Sequence, residues 1–137
     1  MPEPTVATFM SASPHTIGDH QTLSAAHDLM ASLKVRHLPV LQAGKLVGLL
    51  SERDLNFVET LKNVDPAVVK VGEAMSQEVF TVAPSDLVRK VAAEMADNKY
   101  GSAIVLEHGK VVGVFTTVDG LRALSQLLAA KNQRQAP

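Results

Sequence analysis

Two short stretches carry residues that could do chemistry. One is Gly48-Leu49-Leu50-Ser51-Glu52-Arg53-Asp54, and the other is Gly113-Val114-Phe115-Thr116-Thr117-Val118-Asp119. Each ends with a hydroxyl and a carboxylate three residues apart, directly after an apolar run. If the run is a strand and a helix follows, the hydroxyl stands at a helix N-terminus. Unpaired N–H groups and a partial positive charge there favour a phosphate. The carboxylate can accept from both hydroxyls of a ribose, as an acidic residue does in dinucleotide folds. The leading glycine permits close approach of backbone or ligand. The same spacing is also a capping box, in which the two side chains only satisfy backbone donors. One copy would not decide between nucleotide site and cap, but the chain has two.

Other chemistry is thinly represented. With no cysteine, a thiolate nucleophile, a disulfide framework and a Cys-ligated metal are excluded. His15, His20, His27, His37 and His108 include no i, i+4 pair, and no carboxylate cluster converges on them, so no metal site is expected. There is no P-loop, Gly-x-Gly-x-x-Gly or nucleophile elbow, and no enzyme is expected. Thirteen Lys+Arg against fourteen Asp+Glu argue against a bulk polycation for nucleic acid or anionic membrane. Aromatic residues at 4% leave few platforms for stacking single-stranded nucleic acid. No apolar run approaches the roughly 20 residues that span a bilayer. The start Met1-Pro2-Glu3-Pro4 lacks the features of a signal peptide. A soluble, cytoplasmic protein is expected.

The elements that must position the two stretches are themselves duplicated. Shifted by 65 residues, Met10-Ser11 falls on Met75-Ser76, Thr16-Ile17 on Thr81-Val82, and Met30-Ala31 on Met95-Ala96. Val40-Leu41 falls on Val105-Leu106, Gly44-Lys45-Leu46-Val47-Gly48 on Gly109-Lys110-Val111-Val112-Gly113, and Asp54 on Asp119. No gap is needed, so the chain is an internal repeat. Each copy opens with a short extended piece, Thr16-Ile17 or Thr81-Val82. A helix follows, read from Leu23, Ala26, Met30 and Leu33 behind Thr22 as N-cap, or from Val88, Val91, Ala92 and Met95 behind Pro84-Ser85-Asp86. Two apolar runs joined by Gln42-Ala43-Gly44-Lys45, or by Glu107-His108-Gly109-Lys110, read as a β-hairpin. A second helix begins after Ser51 or Thr116, and in copy two it passes through Leu121, Leu124, Leu127 and Leu128.

The fold class is therefore α/β, two β-α-β-β-α repeats. Each alone buries too little to be stable, which suggests sheet-to-sheet packing with pseudo-two-fold symmetry. Repeat 1 is placed at 6–61, a connector containing Asp65-Pro66 at 62–70, and repeat 2 at 71–128. The termini 1–5 and 131–137 are expected to fray.

This arrangement, with Gly-h-h-[Ser/Thr]-x-x-Asp (h, apolar) after each hairpin and Val35-Arg36-His37-Leu38-Pro39-Val40 entering the first one, resembles a CBS-domain pair. The resemblance covers about residues 6–125. It implies a regulatory module for adenine nucleotides or related adenosyl ligands, with no catalysis and no required cofactor. It also implies two clefts built across the repeats. Cleft A would use Thr16, Ile17, Arg36, His37, Leu38 and Pro39 with Thr116 and Asp119. Cleft B would use Thr81, Val82, Gly101, Ser102 and Ala103 with Ser51, Arg53 and Asp54. Arg36 and His37 supply cleft A better for a polyphosphate, because arginine binds phosphate bidentately and stays charged. Cleft B suits a monophosphate or a less charged ligand such as S-adenosylmethionine. The family's habit implies a homodimer through helices. With no effector domain in the sequence, the output would be a partner in trans. The alternative is a constitutive dimerisation or scaffold module whose clefts are vestigial.

Overall fold

The computed structural model describes residues 2–135. In chain order its elements are α1 (Val6–Phe9), β1 (Ser11–Ala12), β2 (Ile17–Gly18), α2 (Leu23–Leu33), β3 (His37–Gln42), β4 (Lys45–Ser51) and α3 (Glu52–Glu59). There follow α4 (Val71–Ala74), β5 (Thr81–Val82), α5 (Val88–Asn98), β6 (Ser102–Glu107), β7 (Lys110–Thr116) and α6 (Thr117–Gln135). The expected β-α-β-β-α order is present twice, as β2-α2-β3-β4-α3 and β5-α5-β6-β7-α6. Thr22 caps α2, its side chain accepting from the Ala25 N–H at 3.2 Å. Asp86 does not cap α5. Its carboxylate accepts from the Ala83 N–H at 2.8 Å, which makes Pro84-Ser85-Asp86 a turn ahead of the N-cap Leu87. Each hairpin turns on two residues of positive φ, Ala43 (50°) with Gly44 (80°) and His108 (53°) with Gly109 (77°). This is the backbone that matches strand twist in two-residue loops.

Spatially, the chain divides into two compact units that do not follow chain order. One consists of Pro14–Val79 with His108–Val111. The other joins the segment ending at Ser13 to Phe80–Glu107 and the segment from Val112. The stretch that opens each repeat thus completes the unit built from the other repeat.

In the first unit β2 runs parallel to β3, Ile17 opposite Val40, and β3 pairs antiparallel with β4, His37 opposite Ser51. Val71 of α4 is fully buried in the core formed by Leu23, Ala26, Met30, Leu38, Val40, Leu50 and Leu55. Backbone bonds fix it there, from the Val71 N–H to the Gln21 carbonyl (2.7 Å) and from the Leu23 N–H to the Val69 carbonyl (3.0 Å). Ser76 pairs with Leu49 on the far edge of β4.

The second unit repeats this with other parts of the chain. Its sheet has the order β1-β7-β6-β5. Val6 of α1 is buried with Val88, Val91, Met95, Ala103, Val105, Phe115 and Ala123. Ser11 pairs opposite Val114. Residues 3–5 lie against the start of α5, with Thr5 bridged to Leu87. The Pro4 carbonyl accepts from the Val88 N–H at 3.1 Å, and Glu3 forms a two-pronged ion pair with Arg89 at 2.8 and 3.2 Å. At the other end α6 runs on to Gln135. Ala, Lys, Gln and Arg are good helix formers without any packing. Met1 and residues 136–137, also in the expected tails, lie outside the described residues.

Candidate functional site

Both hydroxyl–carboxylate pairs form closed capping boxes. In the first, Asp54 Oδ2 accepts from the Ser51 N–H and from the Ser51 Oγ–H, each at 2.9 Å. Ser51 Oγ accepts from the Asp54 N–H at 3.1 Å. In the second, Asp119 Oδ2 accepts from the Thr116 N–H at 2.8 Å and from its hydroxyl at 3.2 Å, and Thr116 Oγ1 lies 3.4 Å from the Asp119 N–H. The two carboxylates differ at their other oxygen. Asp119 Oδ1 meets Arg122 at 3.4 Å, with the aspartate side chain only 6% exposed. Asp54 Oδ1 has no partner among the described residues, and its side chain is half-buried.

The helix starts are less open to a phosphate than the sequence suggests. The first amide of α3, Glu52, donates to the Arg36 carbonyl at 2.8 Å, and that of α6, Thr117, to the Gly101 carbonyl at 3.2 Å. The third amide of each is taken by the capping hydroxyl. Only the amides of Arg53 and Val118 remain, so phosphate recognition would fall to side chains. The same two backbone bonds fasten each strand entry, Arg36–Pro39 or Gly101–Ala103, to the helix start beside it.

Each unit therefore gathers three pieces at one end of its sheet. The first brings together Thr16 and Ile17, then Arg36, His37, Leu38 and Pro39, then Ser51, Arg53 and Asp54. Ile17, Leu38 and Pro39 are buried, while Arg36 and Arg53 are exposed. Burial pulls the His37 imidazole below its usual range, Asp54 opposes that and Arg36 adds to it, so the ring is neutral near pH 7. The second unit brings together Thr81 and Val82, then Gly101, Ser102 and Ala103, then Thr116 and Asp119. Thr81 lies opposite Ile104 in the parallel pair, and Ser102 and Ala103 are buried.

The motif glycines have a packing reason that sequence reasoning missed. A Cβ on Gly48 would fall on the Met75 sulfur and stand 2.8 Å from both the Met75 Cγ and the Ser76 carbonyl oxygen. A Cβ on Gly113 would fall on the Met10 sulfur, 3.0 Å from its Cγ. Both glycines seat a methionine from the segment that opens the other repeat. The signal was present as the Met-Ser pair recurring at the same offset. Among the described residues no group of His, Asp or Glu could hold a metal, and no helix is long and apolar enough to cross a membrane.

Comparison with known proteins agrees with this construction. The CBS domain family model matches twice, over residues 6–58 and 71–126. The chain belongs to the CBS domain family, as a tandem pair. A Vibrio cholerae structure described as an acetoin utilization protein (AcuB) superposes with a TM-score of 0.84 at 29% identity, covering 99% of each chain. The crystal structure of CBSX2 in complex with AMP matches with a TM-score of 0.79 at 26% identity, over 89% of this chain and 97% of that one. The CBS domain pair of protein MJ0100, in complex with 5′-methylthioadenosine and S-adenosyl-L-methionine, matches with a TM-score of 0.80 at 25% identity, over 95% and 99%.

Proposed function

We propose that the protein is a non-catalytic regulatory module that binds an adenosyl ligand and transmits its occupancy to a partner protein in trans. The ligand is AMP, ADP, ATP or S-adenosylmethionine, held by the two residue sets assigned above to clefts A and B. The observation that carries this reading is the pair of hydroxyl–carboxylate motifs. Each is bonded to a strand entry, in a fold whose similar structures hold AMP and S-adenosylmethionine. Asp54 supplies a ribose acceptor, Arg53 and Arg36 supply phosphate donors, and Thr16, Thr81 and their apolar neighbours hold the base. The setting is cytoplasmic.

A melting series with the four ligands tests this. A ligand present at 100 times its Kd and bound only to the folded chain adds about 2.7 kcal/mol, a rise of several degrees in Tm. The scaffold reading draws on the carboxylates already serving as caps. It predicts an unmoved Tm with every one of the four, and that result would discard ligand sensing.

The assembly we assign is a homodimer through α6. Leu121, Leu124, Leu127 and Leu128 are 66%, 53%, 45% and 53% exposed. In the other repeat the equivalent positions hold Asn56, Glu59, Lys62 and Asn63, so the fold itself does not require leucine there. The helix buries Asp119 and Ala123, and the stripe of Leu121, Leu124 and Leu128 lies on the opposite side. With Val118, 58% exposed, these leucines form a run of apolar side chains along one helix. A helix stripe of this kind is covered when a second copy packs against it. Leu124→Glu with Leu128→Glu is expected to convert a dimer to a monomer in light scattering. A wild-type chain that is already monomeric at tens of micromolar would refute the assignment.

A further inference from the structure

The first unit holds an open cleft of about 560 Å³ with polar walls from Asp19, His20, Gln42, Lys70 and Glu73. Gln42 ends β3, and Gly18, next to Asp19, pairs with Leu41. His37 and Ser51 pair at the other end of the same strands, so the cleft lies at the far end of the sheet from the Ser51–Asp54 motif. Two glycines make room for its walls. A Cβ on Gly18 would stand 2.8 Å from the His20 ring, and one on Gly72 would stand 3.3 Å from the Asp19 carbonyl oxygen and 3.4 Å from the Asp19 Cβ. Neither glycine has positive φ, so the reason is space. Copy two has Ala83 and Ala7 at these positions, with Pro84 and Ser85 in place of Asp19 and His20. It also has Thr5 and Thr8 in place of Lys70 and Glu73. The repeat therefore folds without any of the four titratable side chains.

The groups in the cleft are oriented and only partly satisfied. The Gln42 amide donates to Asp19 Oδ2 at 3.1 Å, and Asp19 Oδ1 lies 3.9 Å from His20 Nδ1. Glu73 Oε2 accepts from the Lys70 N–H at 3.0 Å. Glu73 Oε1 and the Lys70 ammonium have no partner among the described residues. Val47 and Met75, both half-buried, supply an apolar lining. Two carboxylates and one ammonium beside apolar surface complement a ligand that carries an ammonium, a carboxylate and an apolar group, since hydrogen bonds between ionised partners are the strong ones.

We infer that this cleft binds a free α-amino acid with an aliphatic or thioether side chain. Asp19 and Glu73 take its ammonium, Lys70 takes its carboxylate, and Val47 and Met75 take its side chain. The site uses none of the residues assigned to the adenosyl ligand, so it goes beyond that reading and stands without it.

The test titrates L-leucine, L-isoleucine, L-valine and L-methionine into the ¹⁵N-labelled full-length chain and follows the amide resonances. At least one of the four is expected to shift the amides of Gly18, Gln42, Val47 and Gly72 saturably. The amine that lacks the tightest binder's carboxylate, and the acid that lacks its ammonium, are each expected to bind roughly tenfold more weakly or worse. Lys70→Thr with Glu73→Thr, which installs copy two's residues, is expected to weaken binding by a similar factor. Melting within a few degrees of wild type checks that this variant is folded. No saturable shift of these amides with any of the four up to about 10 mM would overturn the site. Equal affinity for the amine or the acid in the wild-type chain would overturn recognition of the zwitterion, and so would undiminished binding in the double variant.

Discussion

Gly48→Ala is expected to lower stability by about 3 kcal/mol, while the equivalent Gly113→Ala lowers it by about 1 kcal/mol. The difference comes from what each new methyl group meets. At Gly113 every close neighbour is a Met10 side-chain atom, and an unbranched thioether can swing aside at small cost. At Gly48 the methyl meets the Met75 side chain and also the Ser76 carbonyl oxygen. That carbonyl accepts from the Leu49 N–H at 2.9 Å, and the Ser76 N–H returns a bond to the Leu49 carbonyl at 2.9 Å. Moving it breaks the bridge that holds the 71–79 segment against β4. A double-mutant cycle separates the two cases. In a Met10→Ala background Gly113→Ala should cost nothing measurable. In a Met75→Ala background Gly48→Ala should keep most of its cost, because the carbonyl stays. For a chain of this size 3 kcal/mol lowers Tm by about 10 °C. Equal losses at the two glycines, both relieved by the methionine truncations, would mean that the bridge contributes nothing.

These glycines also mark where the sequence stops being legible. Residues 23–33 and 88–98 could be read as helices because their apolar positions recur over three turns, and the hairpins because glycine sits where φ must be positive. The offset of 65 residues placed every equivalent pair. What could not be read is which unit each opening segment joins. The bond between Ser11 and Val114 is a two-residue pairing across most of the chain, and two residues have no periodicity. Helices α1 and α4 are four residues each, too short for a 3.6-residue pattern to show. Val6 and Val71 look like isolated valines in loops, yet each is fully buried. At the site, the hydroxyl–carboxylate spacing was legible but its use was not. Cap and ribose acceptor need the same residues at the same spacing, and only the hydrogen bonds show that the cap is formed.

Because the cap consumes one oxygen and leaves the other, capping and ligand binding at Asp54 are compatible, and Asp54→Asn should pull them apart. Asparagine keeps an acceptor for the Ser51 N–H, so the helix start survives and stability should fall by less than about 1 kcal/mol. The free oxygen, Oδ1, can accept from a ribose hydroxyl and does so best as part of a charged carboxylate. Losing a hydrogen bond to an ionised group costs about 1.5–3 kcal/mol, so affinity for AMP or S-adenosylmethionine should drop tenfold or more at that site. Asp54→Ala should lose both the affinity and about 1–2 kcal/mol of stability. The corresponding Asp119→Asn should matter less for binding. Its second oxygen already lies beside Arg122, and the side chain is almost fully buried. Arg122→Ala should accordingly raise ligand affinity at that carboxylate by freeing the oxygen. Calorimetry and melting on the four variants give both readouts at once. If Asp54→Asn binds like wild type while Asp54→Ala is merely less stable, the carboxylate is a cap and nothing more. The duplication would then record the needs of two helix starts instead of two riboses.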